Sequence, residues 1–416
     1  MSASESTRAT VLVTDAGLGS AITIIRSLGR MGCRVIAGDS DPRSLGFRSR
    51  YVQERLLYPP PRSDPDGLIE TLLSSVRNLG VDLIIPVTDQ VIHPLAYART
   101  RFEGICKLAI ADDEALEVVT DKSRTFALAR RLGVPLPETE VVRSVEEARN
   151  AAARLSWPLV LKPAVSCSYL PEKGRMESRS VSYASDMKEL TARMEAFDDR
   201  CTILLQEYFR GTGCGVEMLA HRGRPIAAFQ HKRLAEVPVT GGASAWREST
   251  PLDPQLYDYS TQIVQELKWT GLIMIEFKVG QSAQLMEVNG RVWGSLPLAV
   301  ACGVDFPKRL IELCLDDGPS TRVDPVLDYK IGVRSFNLEL IVLWLPQVLL
   351  GLRRYPFLAW PNRSRALAAL IGLLDPRQKF DIFSLDDPRP GFMEMLEIAR
   401  KLFAKLVDSL RAGERR

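Results

Sequence analysis

The sequence predicts an α/β (α+β) fold in which a small doubly wound parallel domain precedes a larger mixed domain and a helical C-terminal extension. Three observations carry this. Residues 10–38 step through strand, glycine loop, helix and strand. Residues 273–289 form two alternating segments about Gly280-Gln281-Ser282. Residues 340–374 hold short apolar runs of helical length. A length of 416 residues suits two or three domains, which the pattern divides at 1–115, 116–320 and 321–416. With 46% apolar and 25% charged residues the composition is that of an ordinary globular protein. A net charge of +3 gives no reason to expect nucleic acid as a partner. Seven cysteines without a CxxC spacing argue for reduced thiols rather than a disulfide framework or zinc site. The first residues are polar and carry no signal pattern, so the expected location is cytoplasmic.

Taken in order, Thr10–Thr14 reads as a buried strand, Gly17-Leu18-Gly19 as a loop, Ala21–Met31 as a helix and Cys33–Gly38 as a second strand. This is a βαβ unit, but a dinucleotide fingerprint would need a glycine where Ile22 stands. Asp66–Leu79 and Leu83–Pro86 repeat the helix–strand step. Val87-Thr88-Asp89-Gln90 then falls at the carboxyl end of a strand, where open α/β sheets bind ligands. Lys107–Ala111 completes the first domain.

Asp121-Lys122 opens a helix that Gly133, Pro135 and Pro137 end. Pro158–Pro163 is a buried strand carrying Lys162, an awkward place for a lysine with no task. Cys201–Leu205 is a strand leading into Gln206-Glu207-Tyr208-Phe209. Val216–Ala220 and Pro225–Lys232 pair as strands, and Tyr257–Leu267 is a helix. Segment 237–247, with Gly241-Gly242, Trp246 and Arg247, has the shape of a substrate loop: glycines admit close backbone approach, Ser244 and Arg247 offer anion contacts, and Trp246 a wall.

The most informative feature is the hairpin of Ile273–Val279 and Leu285–Asn289. Folded about Gln281 and Ser282, it sets Ile275 against Val288 and Phe277 against Met286, and Glu276 directly opposite Glu287. Asn289 shares the acidic face. Like charges in register destabilise a sheet unless a cation lies between them. The hard oxygen donors Glu276, Glu287 and Asn289 suit Mg²⁺ (or Mn²⁺), with phosphate and water completing the shell. Arg291 follows, placed to meet an anion held by that metal.

With these pieces in one order along residues 10–315, the chain resembles the ATP-grasp superfamily, closest in flavour to its carbamoyl-phosphate-synthetase and biotin-carboxylase-like branch, which includes stand-alone carboxylate–amine ligases. The resemblance implies an ATP-grasp fold with a lid over about residues 122–205. It implies ATP as cofactor, held by Lys122, Lys162, Gln206, Glu207, Phe209, Glu217 and Lys232. Gln206–Phe209 would be the adenine hinge, working through backbone groups, and Glu217 a ribose contact. Lys232 would reach the terminal phosphate, serving catalysis with Arg291, and His231 is either structural or an acyl-phosphate contact. The implied reaction activates a carboxylate as an acyl phosphate and couples it to an amine, releasing ADP and phosphate. The alternatives are carboxyphosphate formation from bicarbonate, or an ATP-binding module without ligase activity. One departure stands out: the family's flexible Gly/Ser-rich lid loop is here Ala164–Gly174, with a single glycine at its end. Specificity is expected from Gly17–Ser20, Thr88–Gln90 and Thr240–Arg247.

The extension ends the chain with 16 Lys/Arg against 11 Asp/Glu over residues 321–416, leaving that end basic. Its apolar runs are shorter than the ~20 residues that span a bilayer, and Pro346 interrupts the first. A helical subdomain packed on the core or on a second subunit accounts for them, as in a homodimer. Peripheral contact of 336–374 with an acidic membrane or a lipid-linked substrate is the rival expectation.

Overall fold

The computed structural model describes residues 9–197, 201–315, 324–353 and 355–413. It opens with β1 (Thr10–Val13), α1 (Gly19–Arg30), β2 (Arg34–Asp39), β3 (Val52–Leu57), α2 (Pro65–Leu79), β4 (Leu83–Ile85), α3 (Asp89–Tyr97) and β5 (Lys107–Leu108). The strands form one parallel sheet in the order β3-β2-β1-β4-β5. Alternation on β1 sends Val11 and Val13 into the same apolar cluster as Ile24, Ile25 and Trp293, and Leu12 into the cluster of Ile36, Leu72 and Ile84. Both faces are thus covered, as parallel sheets require. Local chemistry fixes the ends of α2: Asp64 caps Gly67 N–H, Pro65 takes the first turn, and Gly80 closes the helix at φ 63°.

Next come α4 (Asp113–Thr120) and α5 (Lys122–Arg131), then a lid of β6 (Thr139–Val142), α6 (Val145–Ala152), β7 (Leu159–Pro163), β8 (Cys167–Leu170), β9 (Arg175–Ser178), β10 (Ser182–Ala184), α7 (Met187–Glu195) and β11 (Ile203–Glu207). Its sheet runs β10-β7-β11-β6. Leu159 and Leu161 pack on α6 and α7, which leaves Val160 and Lys162 on the opposite face. The glycine-poor stretch expected as a loop is a β8–β9 hairpin instead. It docks on the first domain through Tyr169 Oη, which donates to Asp66 Oδ1 at 2.6 Å, and through the Tyr97 ring at 5.4 Å.

The largest sheet is built from β12 (Thr212–His221), β13 (Arg224–Val237), β14 (Ala243–Ser249), then, after α8 (Pro254–Glu266), β15 (Gly271–Val279) and β16 (Ala283–Asn289). After α9 (Leu296–Ala301) and α10 (Phe306–Leu315), the C-terminal extension supplies β17 (Arg334–Phe336), α11 (Leu338–Leu349), α12 (Arg363–Leu373), β18 (Lys379–Phe380) and α13 (Arg389–Gly413). The seven-stranded order is β16-β15-β12-β13-β14-β17-β18. The extension is therefore helical but also adds two edge strands, each too short to announce itself by alternation. Ile273, Ile275 and Phe277 bury one face of β15 with residues of α4, α5 and α8, turning Met274, Glu276 and Lys278 to the other.

Candidate functional site

A cavity of about 770 Å³ lies between the lid sheet and the seven-stranded sheet, closed on a third side by the carboxyl ends of β1 and β4. Its lining includes Gly19, Ser20, Thr88–Gln90, Lys122, Lys162 and Arg291. All three segments expected to set specificity reach it at least in part, through Gly19 and Ser20, through Thr88–Gln90, and through Gly241–Ser244 with Arg247. The size matches small-molecule sites.

Across β15 and β16, Glu276 pairs directly with Glu287 and Ile275 with Val288, as the alternation predicts. The hairpin differs in one respect. A bulge after Glu276 sets Phe277 opposite Leu285, not Met286, because three residues rather than two make the turn between Val279 and Ala283. Met286 consequently lines the cavity, and its carbonyl accepts from Lys162 Nζ at 3.3 Å. Each glutamate has its own cation. Lys122 Nζ lies 2.9 Å from Glu287 Oε1 and donates to Ser166 Oγ at 2.8 Å. Arg233 Nη2 lies 2.6 Å from Glu276 Oε2, whose Oε1 accepts from Asn289 Nδ2 at 3.0 Å. Burial pushes the Glu287 carboxyl up, but Lys122, then Lys162 and Arg291, hold it below the ordinary carboxylate value. Burial brings the Lys162 ammonium down to about 8, against the pull of Glu287. Arg291 reaches Asp89 Oδ2 with Nε at 3.0 Å, which ties the trailing arginine to the N-terminus of α3.

Two paired carboxylates and one amide suit a divalent cation that takes its other ligands from phosphate and water. Among the described residues no group of three or more His, Cys, Asp or Glu forms a cage of its own. Cross-pairing of Lys122 with Glu287 and of Arg233 with Glu276 balances the charge of the two glutamates. A metal would be held by the two carboxylates with Asn289, and Lys122 and Arg233 would then be free to meet phosphate.

Several expected residues sit elsewhere. Lys232 is off the cavity, bound to Glu248 at 2.6 Å on the outer face of the sheet. Arg233 takes the inward position, because successive side chains of β13 alternate. Counting parity along residues 225–233 holds the signal that the resemblance overrode. Glu217 is fully buried and away from the cavity lining. Its Oε1 accepts from Ser295 Oγ at 2.6 Å and lies 3.0 Å from His231 Nδ1. Both His231 and Glu217 are thus behind the cavity wall, and a Cβ on Gly215 would come within 2.6 Å of the His231 ring. Gln206, Glu207 and Phe209 line the cavity. However, Gln206 Nε2 donates to Thr139 Oγ1 at 2.8 Å, Glu207 Oε1 accepts from Ser156 N–H at 2.7 Å, and the N–H groups of Glu207 and Tyr208 donate to Glu138 and Pro158 carbonyls. Those two backbone donors serve the lid itself. Trp246 is no cavity wall: it stacks on Phe336 at 5.2 Å and is buried.

Further cavity groups come from the ends of the chain. Asn337 and Leu340 line it from the start of α11. Arg247 is 1% exposed and bonds Asp381 through Nη2 and the Ser244 carbonyl through Nη1 at 2.9 Å. Asp15, pushed up to about 6 by burial, accepts from Thr88 N and Oγ1 at 3.1 Å each. It holds the glycine loop to the carboxyl end of β4. Asp39 Oδ2 accepts from Gly17 N–H and Ser44 Oγ, 2.8 Å each, within the same loop.

A family model described as ATP-grasp in the biosynthetic pathway with Ter operon matches residues 199–335. The carbamoyl phosphate synthase large chain of Thermus thermophilus is 26% identical over 231 residues, covering 52% of this chain and 21% of that protein. The formate-dependent phosphoribosylglycinamide formyltransferase of a Synechococcus species is 28% identical over 276 residues, 65% of this chain and 66% of that one. This chain thus matches only about a fifth of the synthase's length. Among solved structures, biotin carboxylase from Campylobacter jejuni superposes with a TM-score of 0.62 at 18% identity, over 78% of this chain and 74% of that one. An L-amino acid ligase from Bacillus licheniformis gives 0.58 at 15%, over 76% and 78%. The motif order, the paired-glutamate hairpin and these likenesses agree: part of the chain matches an ATP-grasp family model, and its fold is similar to that of biotin carboxylase and an L-amino acid ligase.

Proposed function

We propose that the protein is an ATP-dependent ligase that converts a carboxylate to an acyl phosphate and joins it to an amine, releasing ADP and phosphate. The observation that carries this reading is the in-register Glu276–Glu287 pair inside a cavity also lined by Lys122, Lys162, Arg233 and Arg291. Glu276 and Glu287, with Asn289 beside them, would hold Mg²⁺ (or Mn²⁺), which neutralises phosphate oxygens and orients the γ-phosphoryl group. Lys162 and Arg233 meet the phosphate charge as it moves, and Arg233 takes the part first given to Lys232. Arg291, steadied by Asp89, faces the acid. The β8–β9 hairpin, latched by Tyr169, keeps water from the mixed anhydride. Among relatives, an L-amino acid ligase and a formate-dependent transferase support an organic acid as substrate.

Bicarbonate as the acid is the second reading, favoured by a biotin carboxylase domain whose structure holds MgADP and bicarbonate. One experiment separates the two: ADP release across a panel of amino acids, peptides and bicarbonate, with and without amines, and product masses for every stimulating pair. An amide product supports ligation. Stimulation by bicarbonate alone favours the second reading, and no stimulation by any acid contradicts both.

A further inference from the structure

We propose that the arm formed by α12 and the turn before it is a docking surface for an anionic lipid bilayer. The observation is a helix packed inside out. Ala366 and Ala369 are fully buried and Gly372 lies against Phe336, where a Cβ would approach the ring to 3.1 Å. The large side chains point outward: Leu367 is 55% exposed, Leu370 39%, Ile371 71% and Leu374 86%. Leu350 and Leu352, after α11, add 69% and 57%. A helix that folds by burying its apolar stripe turns its large residues inward. Here Ala366, Ala369 and Gly372, with Leu373 beside them, meet the core, while Leu367, Ile371 and Leu374 stay largely outside it. Single exposed leucines need no explanation, but Leu367, Leu370, Ile371 and the C-cap Leu374, spaced three and four residues apart, share one face and form a patch.

The charges around the patch select its occupant. From Leu340 to Leu374 the sequence holds four arginines and no acidic residue. Arg353, Arg363 and Arg365 are exposed and form no ion pair among the described residues. Arg353 sits 6.0 Å over the Trp360 ring, an aromatic–basic edge of the kind found at bilayer surfaces. A second copy of this chain would bring the same surface across a two-fold axis, arginines against arginines with no carboxylate to meet them. An anionic bilayer supplies both complements, acyl chains for the leucines and headgroups for the arginines. Among the described residues no helix is long and apolar enough to cross a membrane, so α12 lies in the plane of the interface.

The test uses the full chain and vesicles of phosphatidylcholine alone or mixed with phosphatidylserine, sedimented at low and high salt. The protein is expected to pellet with the phosphatidylserine vesicles at low salt and to be released at high salt. Each arginine near such a surface contributes about five-fold to partition, so Arg363→Glu with Arg365→Glu should lower it about 25-fold or more. Ile371→Asp with Leu374→Asp should lower it at least as far. Both pairs are exposed, so an unchanged melting temperature shows that neither acts by unfolding. Three results overturn the proposal: the protein stays in the supernatant with phosphatidylserine vesicles at low salt, the variants pellet like wild type, or light scattering shows a dimer that Ile371→Asp with Leu374→Asp dissociates.

Discussion

In the acidic hairpin, Glu276 meets its opposite number across one turn, and Asn289 bonds it from 13 residues away. In the C-terminal extension, Asp381 reaches Arg247 across 134 residues and Asp387 reaches Arg26 across 361. Both regions shape the same cavity, the first by lining it with Glu276 and Glu287 and the second by holding Arg247 in its wall. Asp387 takes Arg26 Nε at 2.9 Å, Ser49 Oγ at 2.7 Å and Arg50 N–H at 2.9 Å, so the tail clamps the first domain. A local device can be removed without disturbing its surroundings only if its charges balance alone. A long-range clamp acts on stability and on geometry at a distance. The two regions should therefore fail differently.

The largest expected effect is on the hairpin. Glu287→Ala should lower ATP turnover by about a thousand-fold or more, through lost metal and phosphate positioning. From register alone one expects the loss to relieve repulsion. The structure corrects this, since Lys122 already neutralises Glu287, and its loss leaves Lys122 and Lys162 as neighbouring cations. The variant should melt below wild type, and turnover within ten-fold of wild type would remove the hairpin from the chemistry.

The clamp gives the contrasting result. Asp387→Ala breaks an almost fully buried pair and should cost about 3–5 kcal/mol of stability, while molecules still folded turn over nearly as wild type. Equal loss of turnover per folded molecule would erase the distinction.

A third measurement follows from Glu394 on α13, buried and facing Asp381, Glu339, Glu397 and Arg26. Burial first, then these carboxylates, raise it from 4.5 to about 8. Its proton stabilises the fold fully below about pH 4.5, and that contribution is lost as pH rises through about 8. Glu394→Gln should flatten the decline in melting temperature over this window and melt above wild type on its alkaline side. Parallel curves would place the tail's acidic cluster in contact with water. The smallest pair of effects tests strand parity. Arg233→Met should lower turnover by about a hundred-fold, and Lys232→Met by less than about three-fold, as for a partly exposed ion pair. The reverse order would restore Lys232 to the phosphate.

What could be read in advance follows the same division. The Thr10–Val13, Gly19–Arg30 and Arg34–Asp39 unit, the Glu276–Glu287 register and the cations Lys122, Lys162 and Arg291 all rest on short-range periodicity or on motifs in chain order. Lys232 lies off the cavity and Arg233 on it, because a motif names a residue type while the pleat decides which neighbour points inward. Glu217 went to a buried contact with Ser295, 78 residues on, which no local pattern announces. The stretch after Lys162 reads as a loop although Pro171 and Gly174, at φ 55°, mark its turn, because its strands are four residues each and dock through Tyr169 on Asp66. Strands of three and two residues in the extension exist only because β14 offers an edge.

The most direct test of the account follows the oxygen. An acid that stimulates ADP release is supplied with ¹⁸O in its carboxylate, together with ATP, Mg²⁺ and the amine, and the phosphorus products are read by mass and ³¹P NMR. The account predicts ADP and inorganic phosphate carrying one ¹⁸O from the acid, because the carboxylate oxygen bridges to the γ-phosphoryl group before the amine displaces it. AMP with pyrophosphate, and the label in AMP, would contradict it.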